Sequence, residues 1–301
     1  MRAAVFDRYG PPEVLHVAEL PDPEPGPGQV RVRVRAAGVQ PFDVGLRRGR
    51  MSRLPVHFPQ TIGQEYAGVV DRVGAGVSDQ RIGHDVLGST MMNGNAALVC
   101  VPETNLVLKP AELDFPTAAG LVAAAQTASG ALAELGVGPG DVLLVHAAAG
   151  SVGTVAVQLA RLAGATVIGT ASPGNHGYLS RLGVLPVAYG PDLVEAVHAT
   201  GQAPTVALDA AGGIAIEQSV ELGIDRDRIG TIVDDKTAAE QGTRVVRAPR
   251  DPARLAEVVQ LAALGRLTLP IRAYPLAEVA EAHSAVEAGH GRGKVVLIVE
   301  P

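Results

Sequence analysis

Along the first hundred residues the apolar positions recur every second residue or in short runs between glycine and proline. Val30, Val32 and Val34 alternate with Arg31, Arg33 and Arg35, residues 21–28 are a proline-rich turn, and residues 65–74 are a strand-pair candidate closed by glycine. Period two marks half-buried strands, so this region predicts a small barrel of short strands with the arginines on a solvated face. From Phe115 the spacing turns helical, with Asp114 or Thr117 as the cap of a helix running to Leu135. Residues 142–146 then read as a strand, residues 147–150 as a loop of small residues, and Ser151 onward as a helix with Val152, Val155, Ala156, Leu159 and Ala163 on one face. Residues 136–141 are the turn before this strand, Gly164 stops the helix, and residues 166–170 are the next strand of a βαβ unit.

Residues 206–213, 229–233 and 244–247 predict later strands of the same sheet, and strands alternating with helices imply a doubly wound parallel sheet. Beyond Leu267 the chain turns back to the first domain. Residues 276–288 predict a helix with Leu276, Val279, Ala280, His283 and Val286 at core spacing, and residues 294–299 a terminal strand. His283 reads as a partly buried helix residue, because no metal-binding type of side chain sits near it in sequence. The expected fold class is α/β. One domain covers residues 1–112 and is completed by 273–301; a nucleotide-binding domain covers 113–272.

Ala147, Gly150 and Gly153 stand as Ala-x-x-Gly-x-x-Gly, a relaxed form of the Gly-x-Gly-x-x-Gly fingerprint. A loop without bulky side chains lets backbone N–H groups and the positive end of a helix dipole approach a pyrophosphate, which makes Ala147, Gly150, Ser151, Val152 and Gly153 candidate cofactor-binding residues. The bland alternative is a close helix-to-strand contact in another α/β protein; the βαβ context favours a dinucleotide. An acidic residue at the end of the second strand would bind a ribose 2′-hydroxyl, yet no Asp or Glu lies between Asp141 and Asp192. Ser172, Asn175, His176 and Arg181 follow that strand instead, which predicts NADPH over NADH.

Composition narrows the classes. With 301 residues there is room for two domains, and 47% hydrophobic residues suit a globular protein. No apolar run approaches the roughly 20 residues of a membrane span, and residues 1–7 do not read as a signal peptide, so a cytoplasmic protein is expected. The single cysteine, Cys100, excludes an internal disulfide framework and a cysteine-rich zinc lobe, and its apolar neighbours predict core filling. A net charge of -6 argues against nucleic acid or a membrane surface as partner.

Five stretches then carry a resemblance: residues 9–15 (YGPPEVL), 36–43 (AAGVQPFD), 63–68 (GQEYAG), the nucleotide loop, and 291–297 (GRGKVVL). In these the chain resembles the zinc-independent, quinone oxidoreductase branch of the medium-chain dehydrogenase/reductase superfamily. The resemblance implies a GroES-like barrel, a Rossmann domain between its two parts, and an active site in the cleft. It places Gln40 and Asp43 near the nicotinamide and substrate, Thr127 on the nicotinamide side, Tyr189 near the adenine and its phosphate, and Lys294 among the cofactor-binding residues. Thr127 reads equally well as a helix residue bonding its own backbone. Zinc-dependent relatives carry cysteine at the position of Gln40 and histidine at that of Gln64, and neutral amides are poor zinc ligands, so no metal is expected. Three departures stand out: Gln40 replaces the usual asparagine, Gly45 replaces a frequent aromatic and implies a wider pocket, and Asn175 or His176 replaces a lysine.

The expected activity is hydride delivery from NADPH to a quinone or an α,β-unsaturated carbonyl without zinc, with Gln40 and Gln64 donating hydrogen bonds to the oxyanion. An enoyl or enone reductase of secondary metabolism is the alternative within enzymes. A low-turnover NADPH-binding sensor or structural protein is the alternative outside them, and a methyltransferase is disfavoured by the barrel-like first half. A homodimer joined at sheet edges is expected, with residues 229–233 as a candidate edge.

Overall fold

The period-two stretches become strands β1 (Arg2–Phe6), β2 (Leu15–Glu19) and β3 (Gln29–Val39), after which Pro41 opens the short helix α1 (Pro41–Arg47). Strands β4 (Gln60–Thr61), β5 (Glu65–Val73), β6 (Asp85–Ser89), β7 (Leu98–Pro102) and β8 (Leu106–Leu108) follow, and Asp114 Oδ1 accepts the Thr117 amide (2.7 Å) to cap α2 (Phe115–Glu134). Next come β9 (Val142–His146), α3 (Ser151–Leu162), β10 (Thr166–Thr170), α4 (His176–Arg181), β11 (Leu185–Val187), α5 (Leu193–His198), β12 (Val206–Asp209), α6 (Ala215–Glu221), β13 (Ile229–Thr231), α7 (Asp235–Gln241) and β14 (Arg244–Val245). The chain closes with α8 (Pro252–Ala263), β15 (Ile271–Pro275), α9 (Val279–Glu287) and β16 (Lys294–Ile298). This computed structural model describes residues 1–51, 53–289 and 291–299.

Two units emerge, Met1–Ala123 with Pro252–Pro301, and Ala124–Asp251. Their boundaries fall inside α2 and before α8, whereas the sequence reading divides the chain at 112/113 and 272/273. In the first unit a three-stranded sheet runs β2-β1-β4, and a seven-stranded sheet runs β15-β16-β3-β5-β6-β8 with β7 also on β3. The returning strand β16 pairs antiparallel with the C-terminal half of β3, Val296 opposite Gly38, and so joins the end of the chain to its beginning. Phe6, Val32, Val34, Ile62, Tyr66, Val279 and Leu297 form one buried core. In the second unit six parallel strands run β11-β10-β9-β12-β13-β14. Leu144, Ile168, Val197, Ala207, Ile216 and Ile229 pack in one cluster there.

Several expectations are corrected. Arg31 is not on a solvated face: its guanidinium is buried, donates to both oxygens of Asp71 (2.9 and 3.1 Å) and to the Pro23 carbonyl (3.2 Å), because the proline-rich turn folds over it. Arg33 stays exposed. Cys100, opposite Arg31 in the ladder, is half-buried and outside the core. Residues 65–73 form one strand, not a pair, since β3 and β6 flank it on either side. On α3 the buried apolar side chains are Val155, Ala156, Val157 and Ala160, while Val152 and Leu159 are partly exposed and Ala163 is exposed. The 229–233 run is not an edge, because β13 lies between β12 and β14; β11 and β14 are the edges.

Candidate active site

In the second unit, β9 ends at His146 and the chain turns sharply through Ala147, whose φ of 57° lies in the left-handed region. The Ala147 amide donates to Thr170 Oγ1 (3.1 Å) and the Ala148 amide to the Thr170 carbonyl (3.0 Å), which fastens the loop to the end of β10. Gly153 is forced by the close approach that follows, as a Cβ there would stand 2.3 Å from the Ala147 carbonyl oxygen. The first amide bonded within α3 is that of Thr154, to the Gly150 carbonyl (2.8 Å). The amides of Ser151, Val152 and Gly153 precede it at the helix N-terminus, where the dipole favours an anion. These residues fit the pyrophosphate of a dinucleotide.

Beneath the loop, His146 is buried, and burial pulls its imidazole down to about 4 against the opposing Asp209 charge. Ser219 donates its hydroxyl proton to the Ala215 carbonyl (2.8 Å), so the neutral His146 ring donates from Nε2 to Ser219 Oγ (2.9 Å). Asp209, at the end of β12, accepts the amides of Ala211 and Gly212 (2.8 Å each) and the Thr231 hydroxyl (2.7 Å). After β10, Asn175 Nδ2 donates to Ser172 Oγ (3.3 Å) and His176 Nε2 lies 3.2 Å from the Ala171 carbonyl. Arg181 and Tyr189 are exposed, and Thr127 is half-buried on α2.

The first unit brings Gln40, Asp43, Gln64 and Lys294 onto α1, β16 and the segment before β5. Gln40 is the N-cap of α1, and Asp43 Oδ2 accepts the Gln40 amide (2.9 Å). Asp43 is fully buried, its Oδ1 has no hydrogen-bond partner, and Gln40 Nε2 has none either. Burial pushes the Asp43 carboxyl up to about 7; the Gln40 amide, the Lys294 charge and the Gly63 amide pull it down, and the Glu65 charge adds to the rise. Gln64 Nε2 donates to the Met91 sulfur (3.6 Å). Lys294, expected among the cofactor-binding residues, has its ammonium buried on Glu65, whose other oxygen accepts the Ala123 amide (2.7 Å). Glu65, the buried partner of Lys294, is a residue that sequence reasoning passes over; its signal is a carboxylate opening the apolar run of β5. The space beside Gly45, expected to widen a pocket, is taken by Met51, since a Cβ at Gly45 would stand 2.8 Å from the Met51 methyl. Among the described residues no group of three or more His, Cys, Asp or Glu side chains could hold a metal ion.

This architecture is that of known dehydrogenases. Residues 26–148 match the alcohol dehydrogenase GroES-like domain, and residues 187–297 match the zinc-binding dehydrogenase domain. The quinone oxidoreductase of Coxiella burnetii is 30% identical and superposes with a TM-score of 0.89 over 100% of this chain and 99% of its own. The chloroplastic NADPH-dependent alkenal/one oxidoreductase of Arabidopsis thaliana is 29% identical over 316 residues, covering 100% of this chain and 80% of that protein. The polyketide synthase GfsB of Streptomyces halstedii is 32% identical over 264 residues, 81% of this chain; the chain spans 5% of that protein's length. The chain belongs to the medium-chain dehydrogenase/reductase family, in its quinone oxidoreductase branch. No helix among the described residues is long and apolar enough to cross a membrane.

Proposed function

We propose that this chain is an NADPH-dependent reductase of quinones or other conjugated carbonyls. The observation that carries the reading is the cradle at the N-terminus of α3, where Gly153 abuts the Ala147 carbonyl and the leading amides are left for an anion. Ala147, Gly150, Ser151, Val152 and Gly153 hold the pyrophosphate. Ser172, Asn175, His176 and Arg181 surround the 2′-phosphate in a stretch without acidic residues, and Tyr189 covers the adenine side. Bound NADPH supplies the hydride. The conjugated acceptor spreads the developing charge over its own oxygen, so Gln40 and Gln64 need only donate hydrogen bonds to it, and solvent provides the proton. Two amides in place of thiolate and imidazole support a zinc-free reaction. The similarity to part of GfsB supports a second reading, reduction of the carbon–carbon double bond of an enoyl or enone intermediate.

Oxidation of NADPH followed in chelator-treated buffer, with a quinone and an enone in parallel, tests the reading. Quinone turnover with NADPH preferred over NADH is expected. Turnover of the enone alone moves the assignment to the second reading, and a preference for NADH overturns the cofactor. Assembly as a homodimer through the edge strands β11 or β14 accompanies this reading. A monomeric mass at all concentrations rejects the dimer.

A further inference from the structure

Three charged side chains of the first unit are nearly or fully inaccessible to solvent, Asp43 on α1, Glu65 on β5 and Lys294 on β16, and the charges of Glu65 and Lys294 both act on Asp43. Ionised together they would carry two negative charges against one positive charge, in surroundings where an unbalanced charge is costly. Glu65 has the Lys294 ammonium on one oxygen and the Ala123 amide on the other. Asp43 has the Gln40 amide on Oδ2, the Gly63 amide close to its carboxyl, and no full hydrogen bond on Oδ1. The excess proton therefore belongs on Asp43. Helix α9 also packs on α1, but its Glu287 is engaged by Arg47 (2.9 Å) and Arg48, and its His283 faces Arg47.

We propose that Asp43 is the proton-holding positioning residue of the reductase, neutral while the enzyme works and inhibitory once ionised. This rests on the function proposed above and names the group that sets its pH range. Asp43 acts through Gln40, three residues before it, whose Nε2 is buried and unpartnered. While Asp43 is neutral, the Gln40 amide donor is left for the acceptor oxygen. Ionised, Oδ1 becomes a strong acceptor that the nearby Gly63 amide does not fully satisfy, and it draws Gln40 Nε2 to itself. It also places a negative charge beside the position where the acceptor gains its own. Burial, which pushes the Asp43 carboxyl up to about 7, agrees with the charge count.

Infrared spectroscopy of the free protein tests the proton directly. A protonated-carboxyl carbonyl band is expected below neutral pH, shifting in heavy water, vanishing as pH rises through about 7, and missing in Asp43→Asn. Glu65→Gln removes the competing anion, frees Lys294 for Asp43 and moves that titration to lower pH. In turnover, kcat/KM of the wild type should fall about tenfold per pH unit on the alkaline limb, and Asp43→Asn should lose that limb whatever its plateau. Absence of the band at slightly acid pH overturns the proposal with no cofactor or acceptor in the tube. A titrating band with an unchanged alkaline limb in Asp43→Asn overturns the positioning role and leaves a structural acid. Failure of the wild type to reduce any acceptor overturns the reductase reading, and the role of Asp43 in it, while the infrared titration still reports the proton. If Asp43→Asn does not fold, the wild-type band and its shift in Glu65→Gln decide the matter.

Discussion

Lys294 and Glu65 pair across neighbouring parts of the first unit in room that two glycines leave open. A Cβ at Gly38 would stand 1.9 Å from Glu65 Oε1, and one at Gly120 would stand 3.2 Å from Lys294 Cγ. Removing one partner strands a buried charge, so Lys294→Met should cost about 3–5 kcal/mol in denaturant unfolding. Removing both charges with Glu65→Gln and Lys294→Met should recover most of that loss. A single Lys294→Met variant as stable as the wild type would show that the pair does not bear on folding.

Ala147 and Gly153 test the nucleotide loop from opposite sides. At Gly153 the obstacle is a backbone carbonyl that cannot swing away, so Gly153→Ala should cost roughly 1–3 kcal/mol and weaken NADPH binding by more than about tenfold. Ala147 holds a left-handed backbone that costs an alanine about 1–2 kcal/mol, partly offset by the greater unfolded-state entropy of glycine. Ala147→Gly should therefore raise stability by up to about 1 kcal/mol in equilibrium unfolding. Loss of stability on that change would mean that the left-handed turn is absent.

Local patterns made much of this legible. The valines of β3, a cap at Asp114 or Thr117 and the βαβ unit follow from periodicity and turn residues, and the return of residues 294–298 to the first sheet is what the family resemblance implies. Burial of Arg31 did not, because the segment that covers it lies eight residues upstream and only the folded proline-rich turn brings the Pro23 carbonyl onto it. The interior place of β13 did not either, since sheet order depends on crossovers that apolar runs do not encode. In the candidate site, Gln40, Asp43 and Gln64 stood out through motif resemblance. The partnership of Lys294 with Glu65 joins residues more than two hundred positions apart and has no local signature.

Acid should weaken the first unit through His283. Its ring is buried with neither nitrogen hydrogen-bonded, and burial together with the Arg47 charge pulls it down to about 3 from 6.5, Glu287 opposing. A folded value below the unfolded one means that the unfolded chain binds the proton first. The stability this contributes is present above 6.5 and is lost as pH falls toward 3. His283→Phe should reduce the loss of unfolding free energy between neutral pH and about pH 4 by roughly 2–3 kcal/mol. Asp43 has the opposite sign: its folded value lies above 3.8, so its contribution is full below 3.8 and is lost as pH rises through about 7. An unchanged acid limb in His283→Phe would assign the sensitivity elsewhere, with His146 the next candidate.

Cofactor choice turns on the segment after β10. Arg181 is exposed on α4, and no acidic side chain lies between Asp141 and Asp192 to repel a 2′-phosphate. A guanidinium on that phosphate makes charge-assisted hydrogen bonds that the NADH hydroxyl cannot match, so Arg181→Ala should weaken NADPH about tenfold and leave NADH within about twofold. Ser172→Asp should act more strongly in the same direction, because it adds repulsion of the phosphate and offers a carboxylate to the ribose hydroxyl. Fluorescence titration with both dinucleotides measures each effect. An equal loss of both cofactors in Arg181→Ala would place that side chain away from the 2′ position, and discrimination would then rest on Ser172, Asn175 and His176.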